Sequence, residues 1–355
     1  MSRARAFLYM VINHYRPPKP RCHRRRYCRE QQKDCVYSVH RIDPSTLFHS
    51  DNEPQATAPV KTCLPPRITT FDNPARGSAP RATEFMLFGW CRDKILGVPR
   101  TEPQDHMPVL YDDASQTTRK LHSTREEKLS PLWLAIHDDL YIMEKATPKS
   151  SDKVLSSKYS VEALVQARHS LDWAWHLLPP PPYEPLRDIF IDDVPNTAAV
   201  VGDSNIWVSS KGQGTCSLDT ETRAWSKVAD WELPFQGQVH YAPQHGLWYG
   251  FSARDEGVLC AANLGSLAST GQQPLPPPAS HELDMGIVAP EGCRELEGYS
   301  CLVHLGGGRF CVAKYYSKLA MLIGVEVERC GKVLRLIKHK SCIYPLRGNS
   351  FECLL

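Results

Sequence analysis

Val201-Gly202-Asp203-Ser204-Asn205 sets a serine where a strand gives way to a turn, as in the nucleophile block of Gly-Asp-Ser esterases. Such a serine needs a base to take its proton, supplied in that class by a downstream Asp-x-x-His, and none follows Ser204. A hairpin turn is the expectation there. Gly306-Gly307-Gly308 has the glycines of a phosphate cradle, but no Lys-Ser/Thr follows and Phe310-Cys311-Val312 reads as strand, not as the start of a helix. The doublets Asp112-Asp113, Asp138-Asp139 and Asp192-Asp193 have the form of paired carboxylates for acid–base work or calcium. Each falls where the local pattern demands a turn, and Asp suits a turn because its side chain bonds the backbone two residues on. Cys22, Cys28, Cys35 and His40 are the nearest thing to a zinc set, at spacings of six, seven and five that lack the short Cys-x₂₋₄-Cys chelate. A copper-radical oxidase would need Tyr, His and Cys converging on one centre, and no spacing singles out such a set. No catalytic residue, metal ligand or cofactor is therefore expected.

The elements that would have to position any site are short strands. Thr197–Val201, the turn Gly202–Asn205, Ile206–Val208, then Thr215–Asp219, the turn Thr220–Thr222 and Ala224–Val228 make a self-contained antiparallel meander. Similar units run over 85–122, 132–177, 239–262 and 301–337, and Phe7–Ile12 with Val36–Ile42 looks like an incomplete first one. Turn centres near 93, 138, 203, 245 and 306 recur at the spacing of propeller blades, with longer intervals where Pro-rich segments intervene. A four-stranded sheet that is apolar on both faces cannot bury them alone, and radial stacking buries both. The expectation is an all-β single domain over 1–355, a β-propeller of about six four-stranded blades. A two-sheet sandwich built from the same strands is the alternative. Loop insertions are expected at 13–34 (basic), 50–82, 146–157 and 268–295, and little helix anywhere.

Composition fits this. The chain has 355 residues, 42% hydrophobic and 23% charged, with a formal net charge of +3. No apolar run approaches the ~20 residues that span a bilayer, so no membrane association is expected. Residues 1–33 hold ten Lys/Arg against the single acid Glu30, which leaves the remainder at a net −6. Arg21, Arg24, Arg25, Arg26 and Arg29 form the densest part and are candidate partner-binding residues; nucleic-acid contact is one use, a solvated loop between two strands the other. Only Tyr15 and Tyr27 interleave with these cations, which gives little for stacked bases. Pro274, Pro276, Pro277 and Pro278 are a second candidate, as an exposed polyproline ligand, whereas Pro180-Pro181-Pro182-Tyr183 reads as a stiff connector. Thirteen scattered cysteines, with no Cys-x-x-Cys and no Asn-x-Ser/Thr, point to free thiols in a reducing compartment, cytoplasmic or nuclear.

The segments Leu177–Tyr183, Cys216–Thr220, Trp225–Val228, Trp231–Phe235, Leu305–Cys311, Gly324–Val327 and Ile337–Ser341 resemble a large cereal-plant family known as a domain of unknown function. Tyr37–Asp43 and Asp138–Glu144 extend the resemblance into the N-terminal half. It implies a kelch-like or galactose-oxidase-like propeller and assigns no catalytic residue. Asp219 and Trp225 resemble the kelch blade, in which an outer-strand Trp packs on the next blade. Trp231 and the turn glycines Gly306 and Gly307 complete the expected blade residues, although the kelch glycine doublet is missing from most units. The resulting expectation is a monomeric, non-enzymatic scaffold that binds an unidentified protein through loops on one face. The alternatives are a propeller oxidoreductase or carbohydrate-active enzyme, and nucleic-acid contact through 16–29.

Overall fold

Short apolar runs separated by turn residues recur along the chain, and the backbone of each run is extended. Its side chains point alternately to two faces, both of which are buried in strands such as Leu8–His14 and Arg309–Tyr316. The computed structural model describes residues 5–14, 36–49, 58–72, 83–99, 107–125, 131–143, 161–167, 172–182, 197–255, 257–265, 276–293, 295–316, 318–331 and 333–355. Among them the strands β1 (Leu8–His14), β2 (Val36–Ile42), β3 (Val60–Lys61) and β4 (Arg67–Asp72) come first. Then come β5 (Thr83–Phe88), β6 (Lys94–Pro99), β7 (Val109–Asp112) and β8 (Thr117–Lys120), followed by β9 (Leu132–Ile136), β10 (Asp139–Met143), β11 (Val161–Gln166) and β12 (Trp173–Leu178). The second half holds β13 (Thr197–Val201), β14 (Asn205–Ser210), β15 (Gly214–Asp219), β16 (Ala224–Ala229), β17 (Phe235–Ala242), β18 (Leu247–Ser252), β19 (Leu259–Ala262) and β20 (Ser280–Leu283). It ends with β21 (Glu295–Gly306), β22 (Arg309–Tyr316), β23 (Leu319–Cys330), β24 (Val333–Pro345) and β25 (Ser350–Leu354).

These strands pair as six antiparallel meanders: β25-β1-β2-β4, β5 to β8, β9 to β12, β13 to β16, β17 to β20 and β21 to β24. The fourth and fifth are joined by a short parallel contact of their first strands, Thr197 opposite Gly237 and Ala198 opposite Gln238. β3 adds in parallel to the outer edge of the sixth.

Each sheet buries both faces, and each face belongs to a different neighbour. On β1, Leu8, Met10 and Ile12 pack with Val303, Cys311 and Tyr344 of the sixth sheet, while Tyr9 and Val11 pack with Phe85, Leu87 and Ile95 of the second. The same division continues round the molecule. Separate apolar clusters fill the wedges between sheets two and three, three and four, four and five, and five and six. With the wedge between six and one also filled, the series closes on itself. The fold is a β-propeller of six blades, as the strand pattern predicts. The first blade draws its inner strand from the C-terminal end, β25, and the rest from the N-terminal end. Met10 faces Leu354 and Asn13 faces Ser350 in that closing ladder.

Two expected insertions prove to contain structure. Segment 50–82 carries β3 and β4; Phe71 is buried against Phe85, with ring centroids 5.2 Å apart. Its flanking prolines hide a strand whose Ile68, Thr69 and Thr70 are β-branched. Segment 268–295 carries β20, the polar outer strand of blade 5, and Met285 beneath it is buried. Asn13 and His14, at the start of the basic 13–34 segment, belong to β1. Residues 15–34 and 146–157 lie outside the described residues.

Because each blade is an up-and-down meander, first-to-second and third-to-fourth strand connections emerge at one face of the ring. Second-to-third and blade-to-blade connections emerge at the other. The turns 89–93, 137–138, 202–204, 243–246 and 307–308 therefore share one face, called here the hairpin face.

Candidate functional site

At the hairpin face, the ends of the inner strands bring four basic side chains together. β17 has an irregular register between Gln236 and His240; Val239, within it, enters the wedge with blade 4, and Ala242, beyond it, the wedge with blade 6. His240 Nε2 lies 2.8 Å from the Leu302 carbonyl of blade 6. A carbonyl only accepts, so His240 carries its proton on Nε2 and leaves Nδ1 as the acceptor. His304 stands two residues further along β21, 8% exposed, its ring 5.0 Å from that of Phe310. Arg5 precedes β1 and is tied down by its backbone N–H, which donates to the Leu305 carbonyl at 3.1 Å. Arg92 belongs to the blade 2 hairpin, where a φ of +54° and the bond from its N–H to the Gly89 carbonyl at 3.0 Å fix a tight reversal.

Burial and mutual repulsion both weaken the charged forms. Burial is the larger cause for all four, and Arg92 is lowered by it. The Arg5 guanidinium falls to about 9, with Arg92 the next contributor. His240 falls to about 3, pressed also by Arg5, His304 and Arg92. His304 falls to about 4, pressed also by Arg5, His245 and Arg92. Blades 2 and 5 stand opposite one another in a six-membered ring, yet Arg92 still presses on His240. Tyr9 and Cys311 also adjoin Arg5, both kept neutral by burial, and no carboxylate is among the groups that act on the four. Arg5 Nη1 and His304 Nε2 are buried with no hydrogen-bond partner among the described residues.

The rim of the same face is aromatic. Trp90, in the turn that holds Arg92, is 52% exposed and lies parallel to the His137 ring of blade 3, centroids 6.1 Å apart at an interplanar angle of 6°. Its backbone N–H donates to Asp138 Oδ1 at 2.8 Å, locking two hairpins together. On the opposite side Tyr241 is 42% exposed and rests on Trp248 at 4.4 Å.

A family model described as a protein of unknown function, DUF1668, matches residues 7–344. This chain belongs to the DUF1668 family. No curated protein matches it. Among solved structures it is similar to the β-propeller domain of Cps50 (Swd1) from Myceliophteria thermophila, at 10% identity over 90% of this chain and 87% of that one, with a TM-score of 0.41. The fold of this DUF1668 chain rests on its own six sheets and the six wedges between them.

In the DUF1668 propeller the residues singled out from sequence scatter. Asp219 accepts from the N–H groups of Glu221 (2.9 Å) and Thr222 (3.1 Å), which is turn chemistry. Trp225 leans into the wedge with blade 3 and donates Nε1–H to the Pro179 carbonyl at 2.8 Å. Trp231 lies 6.3 Å from Trp207, and its carbonyl accepts from Thr215. Gly306 and Gly307 take φ of +94° and +59° in the blade 6 hairpin. Ser204 lies in the blade 4 hairpin, its carbonyl bonded by Thr220. His40 is engaged by Ser38 and the Pro65 carbonyl, while Cys22, Cys28 and Cys35 lie outside the described residues. No group of three or more metal-ligating side chains occurs among the described residues, and no helix there is long and apolar enough to cross a membrane.

Two aspartate doublets depart from the turn expectation. Asp112 does cap its turn, accepting from Ala114 and Ser115. Asp113 instead takes the hydroxyls of Tyr9 (2.7 Å) and Tyr111 (3.2 Å) and pairs with Arg41, joining blades 1 and 2. Desolvation and this carboxylate push the Tyr9 phenol well above its ordinary range. Asp138 serves Trp90 across a blade boundary. Asp192 and Asp193 lie outside the described residues.

Arg21, Arg24, Arg25, Arg26, Arg29 and Pro274 also lie outside the described residues. Pro276 and Pro277 are exposed and Pro278 is half-buried, leading into β20. The strands that bound the basic segment, β1 and β2, meet it at the face away from the hairpins. Those that bound the proline segment, β19 and β20, meet it at the hairpin face. The two candidate segments therefore do not enter from one side. The cationic cluster carried no sequence signal of its own: its members come from four blades, and the one local cue is a histidine two or three residues ahead of an inner-strand turn.

Proposed function

We propose that this DUF1668 propeller is a non-enzymatic binding platform, cytoplasmic or nuclear, that docks a protein partner on its hairpin face. The observation that carries this reading is the pair of exposed aromatics on opposite sides of the axis, Trp90 on blade 2 and Tyr241 on blade 5, each backed by a ring. Aromatic side chains held rigid at a surface are among the groups that anchor protein interfaces, because little conformational freedom remains to be lost on binding. Six wedges of packed side chains hold the blades that present them, and loops on a rigid scaffold are where binding resides. A monomer fits this reading: the outer strands β8 and β20 are short and polar, so the sheets need no second copy to cover them. The exposed Pro276–Pro277 pair extends the same face, consistent with a kelch-like use of loops.

The test is affinity purification of the intact chain against Trp90→Ala/Tyr241→Ala and against Lys211→Ala/Asp255→Ala on the opposite face. A stoichiometric partner lost only with the first pair, at unchanged melting temperature, supports the platform. Loss only with the second pair refutes it. Stoichiometric copper or iron in the purified protein would refute it in favour of a propeller oxidoreductase.

A further inference from the structure

Several cations among the described residues have anionic partners, whereas Arg329 bonds the His245 and Gly331 carbonyls. Arg41 pairs with Asp113, Lys94 with Asp93 and Asp112, and Arg309 with Glu326. The axial mouth differs from those ion pairs. Arg5 and Arg92 come there with His240 and His304, no carboxylate is among the groups that act on Arg5, His240 or His304, and Arg5 Nη1 and His304 Nε2 have no hydrogen-bond partner among the described residues. Burying a cation without a counter-charge costs several kcal/mol, and the cost disappears once an anion of matching geometry enters. Arginine is the side chain whose planar fork matches an oxyanion with two parallel N–H bonds. Arg5, Arg92 and His240 keep part of their surface accessible, so an ion reaching the mouth from the hairpin face meets them directly.

We propose that the axial mouth is a binding site for a small multivalent oxyanion, a phosphate or polycarboxylate compound, gripped by Arg5 and Arg92 and received by His240 and His304. The two imidazoles give the site a proton linkage. In the free protein Arg5 and Arg92 press on both rings, and His245 presses on His304, so both are neutral at pH 7; Phe310 adds only an apolar wall. An anion reverses the sign of the local field and raises both imidazoles, so binding takes up protons and tightens as pH falls. This site stands independently of the partner-docking reading, since it needs the arginines and not the aromatic rim.

The probes are pyrophosphate, citrate and sulfate, each against chloride at equal ionic strength, read by thermal shift and calorimetry on the full chain with Arg5→Met and Arg92→Met. A response to pyrophosphate without citrate assigns the site to phosphates, and the reverse assigns it to carboxylates. The expected result is a rise in melting temperature at millimolar anion and at least a tenfold weaker affinity in each variant. Sulfate, a dianion throughout the neutral range, should bind with net proton uptake. The variants without ligand should melt no lower than the wild type, because each deletes an unpaired buried charge. A purely structural arginine gives the opposite pattern, a lower melting temperature with the anion response intact. That pattern overturns the proposal, as does a response to the three anions no greater than to chloride.

Discussion

Replacing Phe351 with alanine tests the closing of the ring. Phe351 is 3% exposed, stands opposite Ile12 in the ladder between β25 and β1, and has its ring 5.8 Å from that of Tyr315 in blade 6. Truncating a buried Phe to Ala costs about 3–5 kcal/mol from lost transfer energy and the cavity left behind. At roughly 2 °C per kcal/mol for a domain of this size, the melting temperature should fall by about 6–10 °C. Ending the chain at Asn349 is the stronger perturbation. It also removes buried Leu354 and Leu355, the reciprocal bonds between Tyr9 and Leu355 at 3.0 and 2.9 Å, and the rest of the ladder. At about 2–5 kcal/mol per leucine and about 1 kcal/mol per hydrogen bond, the loss exceeds about 10 kcal/mol, comparable with the whole stability of a typical domain. A thermal scan by circular dichroism and tryptophan fluorescence should show no cooperative transition for the shortened chain, and a peptide of residues 348–355 should restore one. A shortened chain that melts cooperatively within 3 °C of the full chain would refute the closure argument.

Gly324 sits at a bulge in β23 where an added Cβ would run into the Leu47 carbonyl, so Gly324→Ala should destabilise by about 1–3 kcal/mol, measured by urea denaturation. His240 and His304 hold fewer protons folded than unfolded, because burial lowers them to about 3 and about 4 from 6.5. Stability should therefore be full at neutral pH and fall as pH drops from about 6.5 towards 4, by a few kcal/mol in all, and His304→Asn should flatten that slope. Exposed Cys91 and Cys330 should alkylate at least ~100-fold faster than buried Cys260, whose thiol burial pushes up to about 12, as read by peptide mapping. Asp113→Asn should lower the melting temperature while leaving anion response at the axial mouth unchanged, since Asp113 serves only the wedge between blades 1 and 2.

Blades 2, 3, 4 and 6 were legible in the sequence because each hairpin between first and second strands is a compact local event, such as Gly202–Ser204, flanked by apolar strands. Blade 5 lost its polar outer strand β20 to an expected loop. Blade 1 was only half legible. Its outer strand β4 lies among prolines, and its inner strand β25 is some 340 residues from its partner, a pairing no local pattern reports. Trp225 packs across the boundary with blade 3. Asp113 and Asp138 look like any turn aspartate in sequence, and only the neighbouring blade gives them Tyr9, Arg41 and Trp90 to hold. The axial cluster was invisible for the same reason on a larger scale: Arg5, Arg92, His240 and His304 share no spacing, and circular geometry alone makes them neighbours.

The seam between β25 and β1 also sets a timetable for biosynthesis. A ribosome adding about 5–20 residues per second leaves β1 waiting roughly 15–70 s for the strand that will lie beside it. Through that interval Leu8, Met10 and Ile12 have neither blade 6 nor β25 to cover them. The nascent polypeptide thus carries an open, sticky flank until residues 350–354 emerge, which makes this propeller a natural client for chaperones that hold β1 in waiting.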